Sequence, residues 1–340
     1  MEEAYIGVLS EDEPIYDYLA HHVLGTVTGR PVKHAVFDMY RLHPKMLMVR
    51  YAERNSDQDL ACKFYGRKLP TEGERPDEDY FYQMLMAEYE RLKRVRDLGF
   101  DRPPYRVVEP LAVNPELEFL LVEEYVTGPK LDTYMTAAAT EGKGDDLRRC
   151  LRNLAQFFGE LHRRSATPDV VPVSASIGYL EKIMRQLQDH EVITSDQFAR
   201  LEELRDRWVT HPALGNVPRV LLHGDATPIN FIFCNTDEVV VIDLERSHMG
   251  DGMSDVGSIE SEVRHAFRLA GNVAAADAYV DEFAATYQRA RASQGTDAAL
   301  SKSRSSFWRG VFDLRMSRND WLTLDYRHEL VKEGIAWLSQ

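Results

Sequence analysis

Two short stretches with polar residues at fixed spacings decide the fold and the function that the sequence predicts. Residues 223–230 read His-Gly-Asp-Ala-Thr-Pro-Ile-Asn, and residues 242–245 read Ile-Asp-Leu-Glu. The apolar runs between them predict a hairpin, so Asp243 stands at the end of a strand that follows Asp225 and Asn230 along the chain. Two carboxylates and an amide in that arrangement can place three oxygen ligands around one small volume. Such a group suits a hard cation such as Mg²⁺ together with a general base, and phosphoryl transfer needs both.

The alternative for the first stretch is purely structural. In that interpretation His-Gly-Asp forms a tight turn in which Asp225 caps backbone amides, and Asp243 merely ends a strand. A lone His-Gly-Asp would favour this alternative. The structural alternative is weakened because the stretch continues to Asn230 and is followed by Asp243 and Glu245.

The whole string resembles the H-G-D-x-x-x-x-N…I-D-x-[DE] signature of the aminoglycoside phosphotransferase and choline kinase family, small-molecule kinases related in fold to protein kinases. The resemblance implies that Asp225 is the catalytic base that accepts the proton of the acceptor hydroxyl, and that Asn230 and Asp243 bind Mg²⁺. It also implies ATP as the phosphoryl donor. Glu245 matches the trailing acidic position of the family, and we expect His223 to orient the loop.

A second candidate site lies earlier in the chain, where Lys63 is the one lysine in the apolar stretch 60–65. A lysine there must reach solvent or find a partner. Glu88 lies within the apolar stripe of a predicted helix over residues 80–98, where a carboxylate is costly unless it is paired. Glu88 is therefore the expected partner, since Glu90 points the other way. The pair resembles the strand lysine and helix glutamate that hold nucleotide phosphates in kinase-like folds. The alternative places both side chains at solvated edges.

Two other parts of a nucleotide site have weaker signals. Residues 119–128 resemble the strand-to-hinge segment that contacts adenine through backbone groups, which implies contacts in the turn that includes Glu124 and Val126. The connection 41–45 contains no glycine, unlike the short Gly-rich or Ser/Asn-rich loop of the family, so its backbone cannot close on phosphates as a glycine turn does. Lys45 could supply a side-chain cation there, or the turn could simply be exposed.

Composition excludes several function classes. The 340 residues include 41 Lys and Arg against 55 Asp and Glu, a net charge of −14 that argues against binding to nucleic acid or to anionic membranes. The three cysteines are scattered, which argues against a disulfide framework or a zinc site. No secretory signal and no run of about 18 apolar residues is visible, so we predict a cytoplasmic protein without a membrane span.

The order of the apolar patterns predicts an α+β, protein-kinase-like fold with two lobes. Residues 1–125 are predicted to form a small nucleotide-binding lobe with an antiparallel sheet and one helix, and residues 126–340 a larger, mainly helical lobe with the catalytic loop, the metal site and the acceptor pocket. The predicted strands cover 32–42, 45–53, 59–65, 105–113 and 119–125. The predicted helices after the hinge cover 147–165, 178–190, 195–210, 258–270 and 274–293, with two more before residue 340.

Several further polar residues have a structural and a functional interpretation. We expect Asp255 or Ser254 to cap the helix that follows, and His162 to be a satisfied core histidine rather than a ligand. Three residues near the start of that helix are candidates for contact with the acceptor: Glu260, Glu262 and His265.

The predicted activity is ATP-dependent transfer of a phosphoryl group to a hydroxyl of a small molecule, such as an amino sugar, a sugar or an amino alcohol. The negative charge and the resemblance lean towards a cationic acceptor, with a neutral sugar or nucleoside as the alternative. A protein kinase is disfavoured because the H-R-D, D-F-G and A-P-E motifs are missing and Thr227 replaces the lysine two positions after Asp225. A nucleotide-binding protein without turnover and a metal-dependent hydrolase stay open, as does the oligomeric state.

Overall fold

The computed structural model describes residues 3–29, 32, 34–43, 47–56, 58–68, 76–291 and 298–340. The strands in this part of the chain are β1 (Ala4–Val8), β2 (Phe37–Arg41), β3 (Met48–Glu53), β4 (Asp59–Phe64), β5 (Asp101–Arg102), β6 (Tyr105–Val107), β7 (Pro110–Asn114), β8 (Leu120–Glu124), β9 (Val220–Leu221), β10 (Phe231–Asn235), β11 (Glu238–Val241) and β12 (Met249–Gly250). The helices are α1 (Pro14–Asp17), α2 (Gly25–Thr28), α3 (Glu78–Asp97), α4 (Leu131–Glu141), α5 (Gly144–Arg164), α6 (Val173–Asp189), α7 (Ser195–Val209), α8 (Met253–Leu269), α9 (Val273–Arg291), α10 (Ala298–Met316) and α11 (Leu324–Leu338), and a π-helical segment, Tyr18–Leu24, joins α1 to α2.

The chain forms two compact units. Unit 1 contains Met1–Gly128 and Glu238–Glu245, and unit 2 contains Pro129–Asp237 and Arg246–Gln340. The predicted division after residue 125 assigned all later residues to the second lobe, whereas the segment Glu238–Glu245 packs with the first unit. This segment includes β11 and ends at the acidic pair of the second motif.

Unit 1 is built on a sheet in the order β1-β2-β3-β4-β8-β7, in which all neighbouring strands are antiparallel. One face of the sheet is apolar because alternate residues of each strand point to it. Phe37, Cys62 and Val122 belong to this buried cluster, together with Leu19 of the π-helical segment. The middle strand β4 is buried along most of its length, and it carries Lys63.

The remaining strands of unit 1 form a second ladder. β5 pairs with β6 in antiparallel fashion, and β6 pairs with β11 in parallel, with Tyr105 opposite Val239. The parallel pair holds the strand that leads into Asp243. The run 105–113, predicted as one strand, is thus two strands, because the Val108 N–H donates to Val241 O and the chain then enters β7 at Pro110, which has no N–H to continue a ladder.

Unit 2 is mainly helical. Helix α5 packs against α9, and α8 packs against both α9 and α10. The backbones of α10 and α11 approach closely where two glycines face each other, since a Cβ on Gly310 would lie 2.8 Å from Gly334 O. The two short strands β9 and β12 pair in antiparallel fashion, with Leu221 opposite Met249. This pair fixes the start of the His-Gly-Asp loop next to the segment that leads into α8.

The observed elements confirm most of the predicted ones, including α3, α5, α7, α9 and the α+β class. Strand β1 and helix α4 are not predicted by the apolar patterns of the sequence. Strand β1 is an edge strand whose apolar side chains at Tyr5 and Val8 are exposed, so it lacks the alternation that marks a half-buried strand. None of the helices in the described ranges is long and apolar enough to cross a membrane.

Candidate active site

The centre of the site in unit 1 is a buried ion pair between strand β4 and helix α3. Lys63 Nζ lies 2.7 Å from Glu88 Oε2, so the predicted contact is present. Glu88 is fully buried in the same stripe of α3 as Leu85 and Leu92. The position of a carboxylate in this stripe is explained by its partner, because a buried charge is stable only when it is paired.

Two acidic residues that follow β11 complete the surroundings of the lysine. Lys63 Nζ lies 3.0 Å from Asp243 Oδ1 and 3.2 Å from Glu245 Oε2. Glu245 also binds Lys68 at 2.5 Å, and its carbonyl oxygen accepts a hydrogen bond from Arg91. Asp243 itself has a positive φ of 62°, a left-handed conformation that turns its side chain out of the strand direction.

The charges of this cluster depend on one another. Burial alone would lower the pKa of Lys63, but the carboxylates of Glu88, Asp243 and Glu245 hold it well above its usual value. Burial raises the pKa of Glu88 to about 7, against the opposing effect of Lys63. The ammonium of Lys63 is therefore the positive centre around which the acidic groups gather, and it stays charged at neutral pH.

The strand-to-hinge segment lies at the end of β8. The Glu124 side chain accepts hydrogen bonds from Arg106 and from the Glu109 N–H, so it fastens β8 to its neighbours. Val126 is half-buried, and its backbone makes no hydrogen bond with the described residues. Of the predicted loop 41–45, Arg41 ends β2, while Pro44 and Lys45 lie outside the described residues.

In unit 2, the predicted base Asp225 lies between two arginines. Arg315 Nη2 donates to Asp225 Oδ1 at 3.0 Å, and Arg246 Nη1 lies 3.8 Å from Asp225 Oδ2. The Asp225 side chain is 20% exposed, so a small molecule can reach it. The preceding Gly224 has a φ of +82°, and a Cβ there would meet Arg246 O at 2.1 Å, so only glycine fits this turn.

The loop is anchored by Asp255 in the first turn of α8. Its two carboxylate oxygens accept hydrogen bonds from the backbone N–H groups of His223 and Gly224, at 2.7 and 3.1 Å. His162 supports it from the other side, with Nε2 3.3 Å from Asp255 Oδ2 and Nδ1 3.0 Å from Tyr287 Oη. The expectation that Ser254 or Asp255 caps α8 is wrong, because the N-cap is Gly252 and the carboxylate is used by the loop instead. His162 is a buried core histidine, as expected.

Asn230 stands at the far end of the same loop. Its Nδ2 donates to the Asp225 carbonyl oxygen at 2.9 Å, and the residue is only 5% exposed. Because a carbonyl accepts and cannot donate, this contact fixes the amide so that its oxygen points away from the loop backbone. Asn230 thus presents an oxygen from a rigid position.

The candidate acceptor residues on α8 have different surroundings. Glu260 is buried and pairs with Arg309 at 2.6 Å, which makes it part of the helix packing. Glu262 lines a cavity of ≈ 410 Å³ that also contains Asp225, and His265 lines a neighbouring cavity of ≈ 320 Å³. Glu262 and His265 therefore stay candidates for contact with the acceptor, and Glu260 does not.

Some charged residues near these groups were not recognised in the sequence. Lys68 follows β4 and adds a second cation to the acidic cluster, and Arg315 brings a cation to Asp225 from a helix 90 residues later in the chain. Buried Glu123 on β8 has one carboxylate oxygen without a hydrogen-bond partner among the described residues. Burial and the nearby Glu88 raise the pKa of Glu123 to about 8. Of these residues, only Lys68 could have been found from the sequence, because it stands five residues after Lys63 and therefore close to the end of the same strand.

The sequence and the fold of this chain define a small-molecule kinase of the protein-kinase-like class. Residues 66–298 match the sequence profile of the phosphotransferase enzyme family, which is more than half of the chain, so the chain belongs to that family. The predicted fold class and the predicted class of activity, a small-molecule phosphotransferase, are thereby confirmed. A search of the curated proteins finds no match.

Solved structures with the same fold include three kinases of small molecules. An ethanolamine kinase of Plasmodium vivax has a TM-score of 0.56 and 13% identity, with 97% of this chain and 89% of that chain covered. A macrolide 2′-phosphotransferase of type I has a TM-score of 0.55 and 13% identity, with 98% and 99% covered. An ADP-bound aminoglycoside phosphotransferase has a TM-score of 0.50 and 13% identity, with 86% and 90% covered. At these identities the likeness concerns the fold.

Proposed function

We propose that this protein transfers the γ-phosphoryl group of ATP to a hydroxyl of a small molecule, with Asp225 as the general base. As the acceptor oxygen bonds to the γ-phosphorus, its proton passes to the Asp225 carboxylate and the bond between the γ-phosphorus and the bridging oxygen of ADP breaks. The observation that carries this proposal is the position of Asp225, which a doubly anchored loop holds at the wall of a cavity of ≈ 410 Å³. That volume suits a small organic acceptor.

Unit 1 supplies the nucleotide half of the proposed reaction. Lys63 is charged and buried, and its contact with Glu88 holds the ammonium in one place. It can therefore bind the α- and β-phosphates with little loss of side-chain entropy. Val126 is half-buried and its backbone makes no hydrogen bond with the described residues, which supports the proposal that adenine is recognised by backbone groups at the end of β8. The ADP-bound relative supports an adenine nucleotide as the donor.

Mg²⁺ is proposed as the cofactor, with Asn230 and Asp243 as its protein ligands. The donor set fits, because an amide oxygen and a carboxylate oxygen are hard ligands of the kind that Mg²⁺ takes. Asn230 is fixed with its oxygen turned away from the loop, and Asp243 is 40% exposed at its side chain. When bound, Mg²⁺ neutralises the charge that develops on the phosphate oxygens.

The acceptor is proposed to be a hydroxylated compound of the kind that the named relatives take, such as an amino alcohol or an amino sugar. An ethanolamine kinase and an aminoglycoside phosphotransferase share the fold, which supports a polar, hydroxylated acceptor. Two acidic residues that line the cavity of Asp225, Asp132 and Glu262, suit an amino group on such a molecule. A cytoplasmic location and the absence of nucleic-acid or membrane partners stay predictions from the sequence.

The test is ATP consumption with a panel of hydroxylated small molecules, with the parent enzyme and with Asp225→Asn. We expect the variant to lose about 10³-fold or more of kcat, since a general base contributes on the order of 10²–10⁴-fold, and to keep its affinity for Mg-ATP. Asp237→Asn, at an exposed turn, is the matched control. Activity of Asp225→Asn within a few fold of the parent would refute the assignment of the base. Mg-ATP binding without turnover of any acceptor would instead favour a nucleotide-binding protein.

A further inference from the structure

The cavity that contains Asp225 lies within unit 2 and has an unusual set of charges for such an acidic protein. Arg315 and Arg318 line it, and Asp132 and Glu262 line it too. Arg315 contacts Asp225, but neither Asp132 nor Glu262 forms an ion pair with any residue that the structure describes. The cavity lining therefore contains charged side chains beyond Asp225 and its ion-pair partner Arg315.

The guanidinium of Arg315 has N–H groups that make no hydrogen bond with the described residues. A guanidinium carries five N–H groups, and in the described part of the chain only one hydrogen bond of this side chain is formed, from Nη2 to Asp225 Oδ1. The group lies 5.5 Å from the centroid of the Phe312 ring, which supports it from one side, and its side chain is 19% exposed. A fixed guanidinium with free N–H groups matches the planar shape of a carboxylate or the oxygens of a phosphate.

Arg318 is held close to it. Its Nε donates to the Arg315 carbonyl oxygen at 3.0 Å, and its Nη1 donates to Gln186. Burial, together with the positive charges of Arg315 and Arg246, lowers the pKa of Arg318. Like charges gathered in this way repel each other, and an anion placed between them relieves that repulsion.

A second, independent observation concerns a serine of α8. Ser258 is 2% exposed and lines the same cavity, and its Oγ has no hydrogen-bond partner among the described residues. A buried hydroxyl without a partner costs free energy unless a ligand supplies one. The lining of the cavity thus offers N–H donors and a hydroxyl that have no hydrogen-bond partner among the described residues.

We propose that Arg315 and Arg318 form an anion subsite, and that the acceptor carries a carboxylate or another oxyanion a few bonds from the hydroxyl that is phosphorylated. This inference rests on the proposed phosphotransferase function and specifies its substrate class. It differs from the cationic acceptor that the net charge and the family resemblance favour. An amino group on the same molecule is compatible, because the carboxylates of Asp132 and Glu262 line the cavity and form no ion pair with the described residues.

The experiment uses four small probes that form matched pairs. Glycerate has a carboxylate where glycerol has a hydroxymethyl group, and serine has a carboxylate where ethanolamine has a hydrogen. Only the second pair carries an amino group. Binding of each probe to the protein is measured by calorimetry and by intrinsic tryptophan fluorescence, to which Trp321 on the cavity lining contributes. The parent protein is compared with Arg315→Gln, Arg315→Lys and Arg318→Gln. Arg200→Gln, at an exposed position of α7, is the control.

We expect the carboxylated member of each pair to bind at least about 10-fold more tightly than its partner, as a charge-assisted contact gives. Arg315→Gln should reduce that ratio to within about 3-fold, Arg315→Lys should restore part of it, and Arg200→Gln should leave it unchanged. Equal affinity within both pairs, or no binding of either carboxylated probe to the parent protein, would overturn the proposal.

Turnover separates this proposal from the proposed function. If the carboxylated probes bind through Arg315 but no hydroxylated compound is phosphorylated, the anion subsite stands and the kinase assignment falls. If ethanolamine or glycerol is phosphorylated at least as efficiently as its carboxylated partner, the kinase assignment stands and the anion subsite is wrong.

Discussion

The ring of His162 lies 3.3 Å from the carboxylate of Asp255, and both side chains are buried. The same carboxylate accepts two backbone hydrogen bonds from the loop that carries Asp225. Burial raises the pKa of Asp255, but its contacts with His162 and the His223 N–H hold the pKa below the usual value. The loop is therefore positioned by a charge that never reaches the cavity in which the acceptor is proposed to bind.

Replacing this carboxylate should destabilise the protein. Asp255→Asn keeps one oxygen but turns an NH₂ group towards a backbone N–H, and it leaves His162 without its charged partner. We expect the free energy of unfolding to fall by about 2–4 kcal/mol, the usual scale for an unsatisfied buried group and a broken buried pair. Thermal unfolding checks this, with exposed Asp281→Asn as the control. A loss below about 0.5 kcal/mol would show that the loop does not depend on Asp255.

The metal assignment predicts a change in nucleotide binding that depends on Mg²⁺. Asp243→Ala should abolish the gain in ATP affinity that Mg²⁺ provides, and Asn230→Ala should weaken it, because each removes one oxygen ligand. Titration of ATP with and without Mg²⁺ measures the gain directly. Asp237→Ala is the control. If both variants bind Mg-ATP like the parent, the metal ligands are other residues.

The contact between Lys63 and Glu88 predicts coupled effects on nucleotide affinity. Lys63→Ala and Glu88→Ala should each raise the dissociation constant of ATP, and the double variant should cost clearly less free energy than the sum. Residues in direct contact behave in this way, typically by about 0.5–3 kcal/mol. Glu90→Ala, on the exposed side of α3, should have no effect. Strictly additive effects would contradict a shared role in nucleotide binding.

His265 predicts how stability depends on pH. Burial and the nearby Arg268 lower its pKa from 6.5 to about 4. The unfolded chain therefore binds the proton more readily between those values, so the free energy of unfolding falls as the pH drops from about 6.5 towards 4. The difference corresponds to roughly 3 kcal/mol at 1.36 kcal/mol per pKa unit. Denaturant unfolding at several pH values should show a shallower acid loss for His265→Gln than for the parent and for exposed His190→Gln. If the free energy of unfolding of His265→Gln and of the parent fell in parallel as the pH drops, His265 would not be the group responsible.

Local patterns made part of the site predictable. The Lys63–Glu88 pair follows from two elementary facts, a lysine in a buried strand and a carboxylate in the apolar stripe of a helix, because each needs the other. Asp225, Asn230 and Asp243 are close in sequence, so a motif can relate them. The approach of Arg315 to Asp225 joins residues 90 apart through the packing of whole helices, and no spacing encodes that. The use of Asp255 by the loop, rather than as a helix cap, also depends on tertiary packing.

Unit 1 is discontinuous in sequence because it includes Glu238–Glu245, and this affects which fragments of the protein can fold. A fragment that stops at Gly128 would lack β11, the parallel neighbour of β6, and would lack two of the three carboxylates around Lys63. It would present an unpaired strand edge, which invites aggregation. A stable nucleotide-binding fragment would instead require residues 238–245 to be joined after residue 128 through a new linker. Because the two segments are separated in the gene, recombination cannot transfer this unit as one continuous stretch of coding sequence.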